Sequence, residues 1–358
     1  MANTIVHLVP ATFDAHDGII GGAERYALEL ARHMAERRPT RLVSFGREPR
    51  QFRVGALDVR VLGRAHHVRG ARTNPIARGL LRELAGARVV HCHQQHVLAS
   101  SMAALFGRLT GRRTVVTDLG GGGWDLSSYV RTDALYHAHL HISRYSRAVF
   151  GHEQRRDARI ILGGVDSTRF RPADGVARRG ALFVGRLLPH KGVDYLIDAL
   201  PQDMELDIIG RPYDDAYRAR LEAAASGKRV RFHFDATDEQ LRAAYQRARC
   251  VVLPSVYVDH VGRRTDVPEL LGQTLLEGMA SGAAVIGTTV GSLPEVITDG
   301  ETGRLVPPND VPALRAALAW MRDHPDAAQR MGDAGRRRAM AEFSWDRVVQ
   351  RCLEAYDA

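Results

Sequence analysis

Apolar residues fall in short runs along the chain, at Ile5 to Val9, Arg41 to Phe45, Val59 to Leu62, Val89 to Cys92, Thr114 to Thr117 and Leu140 to Ser143. The runs are rich in Val, Ile and Leu, and they read as strands buried on both faces. A second series follows at Ala181 to Val184, Leu206 to Ile209, Val230 to Phe234, Cys250 to Leu253 and Ala283 to Ile286. Helical spacing fills the gaps. After Gly21-Gly22-Ala23-Glu24, for instance, Leu28, Ala31 and Met34 share one helical face. Three helices are expected to close the chain, at Val311 to His324, Asp326 to Glu342 and Trp345 to Tyr356. Strands alternating with helices predict the α/β class with parallel sheets, whose ligands gather at the carboxyl ends of the strands.

Between the two series, the stretch 163–180 carries glycine, proline and charge without an apolar run, and reads as a linker. A chain of 358 residues is long for one core and natural for two. The expected division is an N-terminal Rossmann-like domain over 1–165, a linker over 166–180, a second Rossmann-like domain over 181–342, and a last helix over 343–358.

The most informative stretch is Val267 to Thr288. Gly272 breaks the chain, and Gln273 to Ala280 then spaces Leu275, Leu276 and Met279 as a helix. Free amides at Gly272, Gln273 and Thr274 make an anion site, because a helix N-terminus has unpaired N–H groups and a positive dipole end. Glu269 precedes the helix and Glu277 lies about one and a half turns inside it. Such a site suits a ligand with hydroxyls at both ends and phosphates between them. Taken alone, Glu277 reads equally well as part of a solvated helix face.

Composition adds a charge asymmetry. Residues 1–172 hold 26 Arg and no Lys against 14 acidic residues, whereas the remainder is slightly acidic. A basic N-terminal half points to an anionic partner, a phospholipid surface or a lipid diphosphate. The competing explanation is a general preference for Arg, since only Lys191 and Lys228 are lysines. No nucleic-acid module is present, so nucleic acid is not expected. Cys92, Cys250 and Cys352 are scattered without metal spacing, which fits a reducing cytoplasm. The opening residues do not read as a signal peptide, and no apolar run reaches membrane-spanning length.

Two predicted strand ends carry further chemistry. In His91-Cys92-His93-Gln94-Gln95-His96, His91 is expected to point into the packing and His93 or His96 outward. His-x-His lacks an evident third ligand, so no metal is expected. In Thr117-Asp118-Leu119 and the four glycines that precede Trp124, Asp118 is the first candidate to position an acceptor hydroxyl or take its proton, with His93 second. The alternative for Asp118 is a cap or turn residue.

Five segments fall in one order: Gly21-Gly22-Ala23-Glu24, GRLLPHKG from Gly185 to Gly192, Pro254-Ser255, Glu269 with Glu277, and Gly291-Ser292-Leu293-Pro294-Glu295. Together they resemble the family 4 retaining glycosyltransferases, group 1 enzymes with two Rossmann-like domains facing across a cleft (the GT-B fold). The resemblance implies a C-terminal helix that returns to the N-terminal domain. It also implies metal-independent, front-face transfer of a hexosyl unit from a UDP- or GDP-sugar to a hydroxyl acceptor, such as a lipid-linked glycan or a small metabolite. No cofactor is implied, and no Asp-x-Asp triplet occurs. By resemblance Arg186, Lys191 and the helix-start amides hold the diphosphate. Glu269 holds sugar hydroxyls, Glu277 the ribose, the Phe234 loop the base, and the Gly21 and Gly22 amides the donor or acceptor. One departure stands out: many relatives read Thr-x-His-Asp where this chain has Thr117 in place of the His. A cytoplasmic enzyme, peripheral on the inner face of the plasma membrane, is expected. A silent sugar-nucleotide or lipid-binding scaffold and a UDP-sugar 2-epimerase are the alternatives. A phosphorylase is disfavoured by the shortage of lysines.

Overall fold

The computed structural model describes residues 4–12, 22–120 and 132–358. The chain divides into two compact units, one made of residues 1–164 with 345–358 and the other of residues 165–344.

Unit 1 is built on a sheet of β1 (Thr4–Thr12), β2 (Thr40–Phe45), β3 (Arg50–Val54), β4 (Leu57–Leu62), β7 (Ala87–His93), β8 (Arg113–Thr117), β9 (Ala138–His141) and β10 (Ala158–Ile160), with a short pair β5 (His66–His67) and β6 (Pro75–Ile76) apart from it. The order is β10-β9-β8-β7-β1-β2-β4-β3, parallel except where β3 runs antiparallel to β4. Helices α1 (Gly22–Ala35), α2 (Leu80–Ala85), α3 (Leu98–Thr110) and α4 (Arg144–Val149) connect the strands. Their apolar faces bury Leu30, Ala31, Met34, Leu80, Leu84, Ala103 and Ala104 with Val6, Leu8, Val43 and Val90 of the sheet. β1 runs beyond the expected end at Val9, through Pro10. Proline cannot donate to a ladder, and the pairing with β2 becomes irregular between Leu8 and Thr12. β3 was not evident in the sequence, because its side chains are mostly exposed and carry no apolar run.

Unit 2 contains β11 (Arg179–Val184), α5 (Val193–Ala199), β12 (Leu206–Ile209), α6 (Asp215–Ala224), β13 (Val230–His233), α7 (Asp238–Arg247), β14 (Ala248–Leu253), α8 (Gln273–Ala280), β15 (Ala284–Thr288), α9 (Leu293–Val296), β16 (Arg304–Val306), α10 (Val311–Asp323) and α11 (Pro325–Glu342). The sheet order is β13-β12-β11-β14-β15-β16, and every pair is parallel. The third, second and first strands of the unit thus lie on one side and the fourth, fifth and sixth on the other. The winding reverses between β11 and β14, the place where open α/β sheets leave a crevice for a ligand.

The last helix, α12 (Trp345–Asp357), belongs to unit 1. It buries Trp345, Val348, Val349, Cys352, Ala355 and Tyr356, one stripe of an amphipathic helix. Trp345 packs against Tyr26 of α1, and Arg113 of β8 donates to the Ala355 carbonyl at 3.1 Å. All three cysteines are buried and free. No helix among the described residues is long and apolar enough to cross a membrane.

Candidate active site

Three connections meet at the switch point of unit 2. The turn after β11 holds Arg186 and Lys191, the long connection after β14 holds Ser255 and Glu269, and the turn after β15 holds Gly291 and Ser292. They are sewn together by backbone. Val256 donates its amide to the His190 carbonyl at 2.9 Å, and Ser292 donates to the Glu269 carbonyl at 3.1 Å. Gly291, at φ 56°, leaves no room for a Cβ beside that same carbonyl oxygen.

At the centre, Lys191 Nζ donates to Glu269 Oε1 at 2.5 Å, and Ser255 Oγ donates to the same oxygen at 2.7 Å. Both charged groups are largely withdrawn from water. A lone buried charge is costly, so the pair and the serine are what allow a carboxylate to stand there. Neighbouring His190 is pushed down to about 4, by burial first and then by the Lys191 cation. Arg186 differs from Lys191: it is exposed, and no carboxylate among the described residues pairs with it.

Helix α8 begins at Gln273, and Gly272 before it adopts φ 77°. Its first internal amide is that of Leu275, which donates to the Gly272 carbonyl at 2.9 Å. Gly272, Gln273 and Thr274 therefore occupy the start of the helix, where amides point along the axis towards an anion. Glu277 is buried rather than solvated, and Tyr245 Oη of α7 donates to its Oε2 at 2.7 Å. Tyr245 was missed in the sequence, because it sits in a helix far from the motif it supports. Phe234 follows β13, its ring stacked on Phe232 and covered by the Arg218 guanidinium at 4.6 Å.

The long connection after β14 is ordered by its own bonds. Asp259 accepts from the amides of Val261 and Arg263, and Thr265 donates to the Tyr257 carbonyl at 2.8 Å. Tyr257 Oη accepts from the Gly291 amide at 2.9 Å, which ties this connection to the turn beneath Glu269.

Unit 1 corrects the reading of the histidines. His91 and His93 do not point to opposite sides. Residues two apart in a strand share a face, and the two rings stack at 4.3 Å inside the unit. His93 is only 3% exposed and bonds His7 of β1 at 2.8 Å. The third imidazole, His7, was the residue missed; its signal was a polar residue inside an otherwise apolar strand. His91 bonds Tyr356 Oη at 2.6 Å and Thr117 Oγ1 at 2.8 Å. Thr117 is thus engaged within the core. Asp118 is half-buried and accepts from the Gly120 amide at 2.8 Å; burial raises its pKa. Gly22 is exposed at the start of α1. Gly21 and the stretch from Gly121 to Trp124 lie outside the described residues.

Comparison with known proteins bears on the family and the fold. Residues 168–338 match the model of the glycosyl transferases group 1 family. An alpha-maltose-1-phosphate synthase of Mycobacterium tuberculosis is 30% identical over 316 residues, covering 75% of this chain and 79% of that protein. An MMP alpha-(1->4)-mannosyltransferase of Mycolicibacterium hassiacum is 32% identical over 206 residues, covering 55% of this chain and 47% of the relative, so the match spans about half that relative's length. Among solved structures, Anabaena HepE in complex with UDP and glucose superposes with a TM-score of 0.75 at 16% identity, over 99% of each chain. That last likeness speaks for the fold alone, the GT-B class with two Rossmann-like domains. With a relative at this identity aligned over most of its length and the family pattern spread across unit 2, the chain belongs to the group 1 glycosyl transferases.

Proposed function

We propose that the protein transfers a hexosyl unit from a nucleoside diphosphate sugar to a hydroxyl acceptor, with retention at the anomeric carbon and without a metal ion. The observation that carries this reading is the Lys191–Glu269–Ser255 cluster at the switch point of unit 2. The diphosphate would lie at the start of α8, against Gly272, Gln273 and Thr274, with Arg186 and Lys191 as its cations. Cations and helix-end amides stabilise the charge that grows on the departing diphosphate, and they take the part Mg²⁺ plays elsewhere. Glu269, its Oε1 held by two donors, would accept from sugar hydroxyls through Oε2. Glu277 would hold the ribose, and the residues around Phe234 the base. In the transfer the anomeric C–O bond to the diphosphate breaks, the acceptor oxygen bonds the same face of that carbon, and the acceptor proton passes to the leaving phosphate oxygen. Asp118 would orient the acceptor hydroxyl. His93, being buried, is the weaker candidate for that task.

UDP and glucose in HepE favour a UDP-sugar, and a GDP-mannose-dependent phosphatidylinositol monomannoside mannosyltransferase of Mycolicibacterium smegmatis, 30% identical to this chain, keeps a GDP-sugar open. The acceptor proposed is a lipid-linked glycan or small metabolite. The Arg-rich N-terminal half supports peripheral contact with an anionic membrane from the cytoplasmic side.

The test is a thermal-shift panel of UDP-, GDP-, ADP- and dTDP-sugars, followed by transfer assays with the stabilising donor. A ligand that binds only the folded state raises the melting temperature. One base class should stabilise the wild type but not Glu269→Ala. No shift with any donor overturns the assignment. Stabilisation without turnover across lipid-linked and soluble acceptors would instead favour a binding scaffold.

A further inference from the structure

Among the described residues, unit 1 contains two places where three metal-ligating side chains converge. His7, His91 and His93 form one. Their facing nitrogens are already used, however: His7 Nδ1 meets His93 Nε2, and His91 spends both nitrogens on Tyr356 and Thr117. All three rings are buried. The second group is Asp133, His139 and His152, whose ligand atoms lie within 4.8 Å of one another. It is built differently, and it opens to solvent on the Asp133 side.

His139 lies on β9, His152 just before β10, and Asp133 in a single helical turn ahead of β9. His152 Nε2 is 4.0 Å from Asp133 Oδ1. That gap is too wide for a hydrogen bond, which closes at ~3.2 Å. It falls just inside the span of two metal–ligand bonds, each ~2.0–2.2 Å for zinc to imidazole or carboxylate. Neighbours hold the ligands, His152 on the side away from Asp133 and Asp133 at the oxygen that faces His152. His152 Nδ1 is bonded to His141 Nε2 at 3.1 Å, and Gln95 Nε2 donates to Asp133 Oδ1 at 2.6 Å. His139 Nε2 lies 3.2 Å from the Asp133 carbonyl. Partners of this kind fix the tautomer and aim of metal-binding imidazoles, and their loss typically weakens a site ~10–100-fold. The two histidine rings meet edge to face at 4.3 Å.

We propose that Asp133, His139 and His152 form a divalent-metal site in unit 1 that takes Zn²⁺ or a similar first-row ion, with water in the remaining position. Two imidazoles and one carboxylate suit such ions better than Mg²⁺ or Ca²⁺, which prefer all-oxygen shells. The ion has a structural part. It pins the turn at Asp133 against β9 and the approach to β10, and it takes no part in the metal-independent chemistry proposed for unit 2.

The full-length protein, stripped with EDTA and desalted, would be titrated with Co²⁺ and then Zn²⁺. The expected result is one equivalent bound per chain, visible Co²⁺ bands of four- or five-coordinate intensity that Zn²⁺ abolishes, and a melting temperature that rises with Zn²⁺. Asp133→Asn, at a partly exposed position, should weaken Co²⁺ at least tenfold while leaving far-UV circular dichroism unchanged. His152→Gln should abolish the bands, and His141→Gln should weaken binding by an intermediate factor. A wild type without bands or a stability gain overturns the site. So do bands that persist in Asp133→Asn/His152→Gln, or that disappear only in His93→Gln, which would put the ion at the other cluster. Donor-dependent stabilisation, read on the same samples, tests the glycosyltransferase assignment separately.

Discussion

Lys191 Nζ lies 2.5 Å from Glu269 Oε1, a pair closed across 78 residues of sequence at the point where the second sheet reverses its winding. Neither residue has a strong signal alone. Together, with Ser255 on the same oxygen, they place a positive and a negative group side by side at that point, one suited to phosphate and the other to sugar hydroxyls.

Removing one member of a buried pair strands the other, a cost of about 3–5 kcal/mol. Lys191→Met should therefore lower the urea midpoint of unit 2 as well as abolish transfer, whereas Glu269→Gln, which keeps the Ser255 bond, should abolish transfer with a smaller loss of stability. The two urea midpoints and a donor-dependent melting shift check this. Equal stability of Lys191→Met and wild type would mean the pair does not form in solution.

Gly291→Ala should damage donor binding more than folding. Its backbone is left-handed, at φ 56°, and the new Cβ would collide with the Glu269 carbonyl oxygen. Gly55→Ala is the control: φ there is 58°, but nothing lies within 4 Å of the added carbon. Both substitutions carry the ~1–2 kcal/mol left-handed penalty. Only Gly291→Ala should also weaken the donor, by tenfold or more in titration calorimetry.

Acid should destabilise the protein from just below neutrality. Burial lowers His7 to about 3, and burial with the Lys191 cation lowers His190 to about 4. Above pH 6.5 these rings are neutral whether the chain is folded or not, and they contribute nothing to the pH dependence. Below that, the unfolded chain takes up protons that the folded chain refuses, so stability falls with pH until the folded values are reached. For His7 the loss between pH 6.5 and 5 is on the order of 2 kcal/mol. A second loss begins under the ordinary carboxylate range. Asp207 is held at about 2 against its own burial, by hydrogen bonds from Arg231 and His233. Urea midpoints at pH 7.5, 6, 5 and 4 measure the curve, and His7→Gln should flatten its upper limb.

The last helix should be indispensable to unit 1. Ending the chain at residue 344 strips away Trp345, Val348, Val349, Cys352, Ala355 and Tyr356, all of them buried, and exposes the apolar face they cover. Tyr356→Phe is the gentler test. It leaves His91 Nδ1 without its 2.6 Å partner, at a cost of about 1–3 kcal/mol. The truncation should aggregate or fail to accumulate, while Tyr356→Phe should fold with a lowered melting temperature.

Strands such as Val89 to Cys92 and Cys250 to Leu253 were legible because a strand buried on both faces needs an uninterrupted apolar run, and that run is a local property. The start of α8 was legible for a similar reason: Gly272 takes a left-handed turn before a helical repeat begins. β3 and β16 were not legible. They form at sheet edges, where pairing rather than apolar content holds the strand.

By itself, then, the sequence determined the α/β class, the two series of strands, and the motifs that carry Lys191, Glu269 and the amides at Gly272 to Thr274. Those depend on residue type and near-neighbour spacing. Only the tertiary structure decided that Lys191 pairs with Glu269, that Tyr245 holds Glu277, and that His7 joins His91 and His93 while His139 and His152 meet Asp133. Such contacts are set by which strands become neighbours in the sheet and by which face of the pleat each residue occupies. Neither is fixed until the chain has closed on itself.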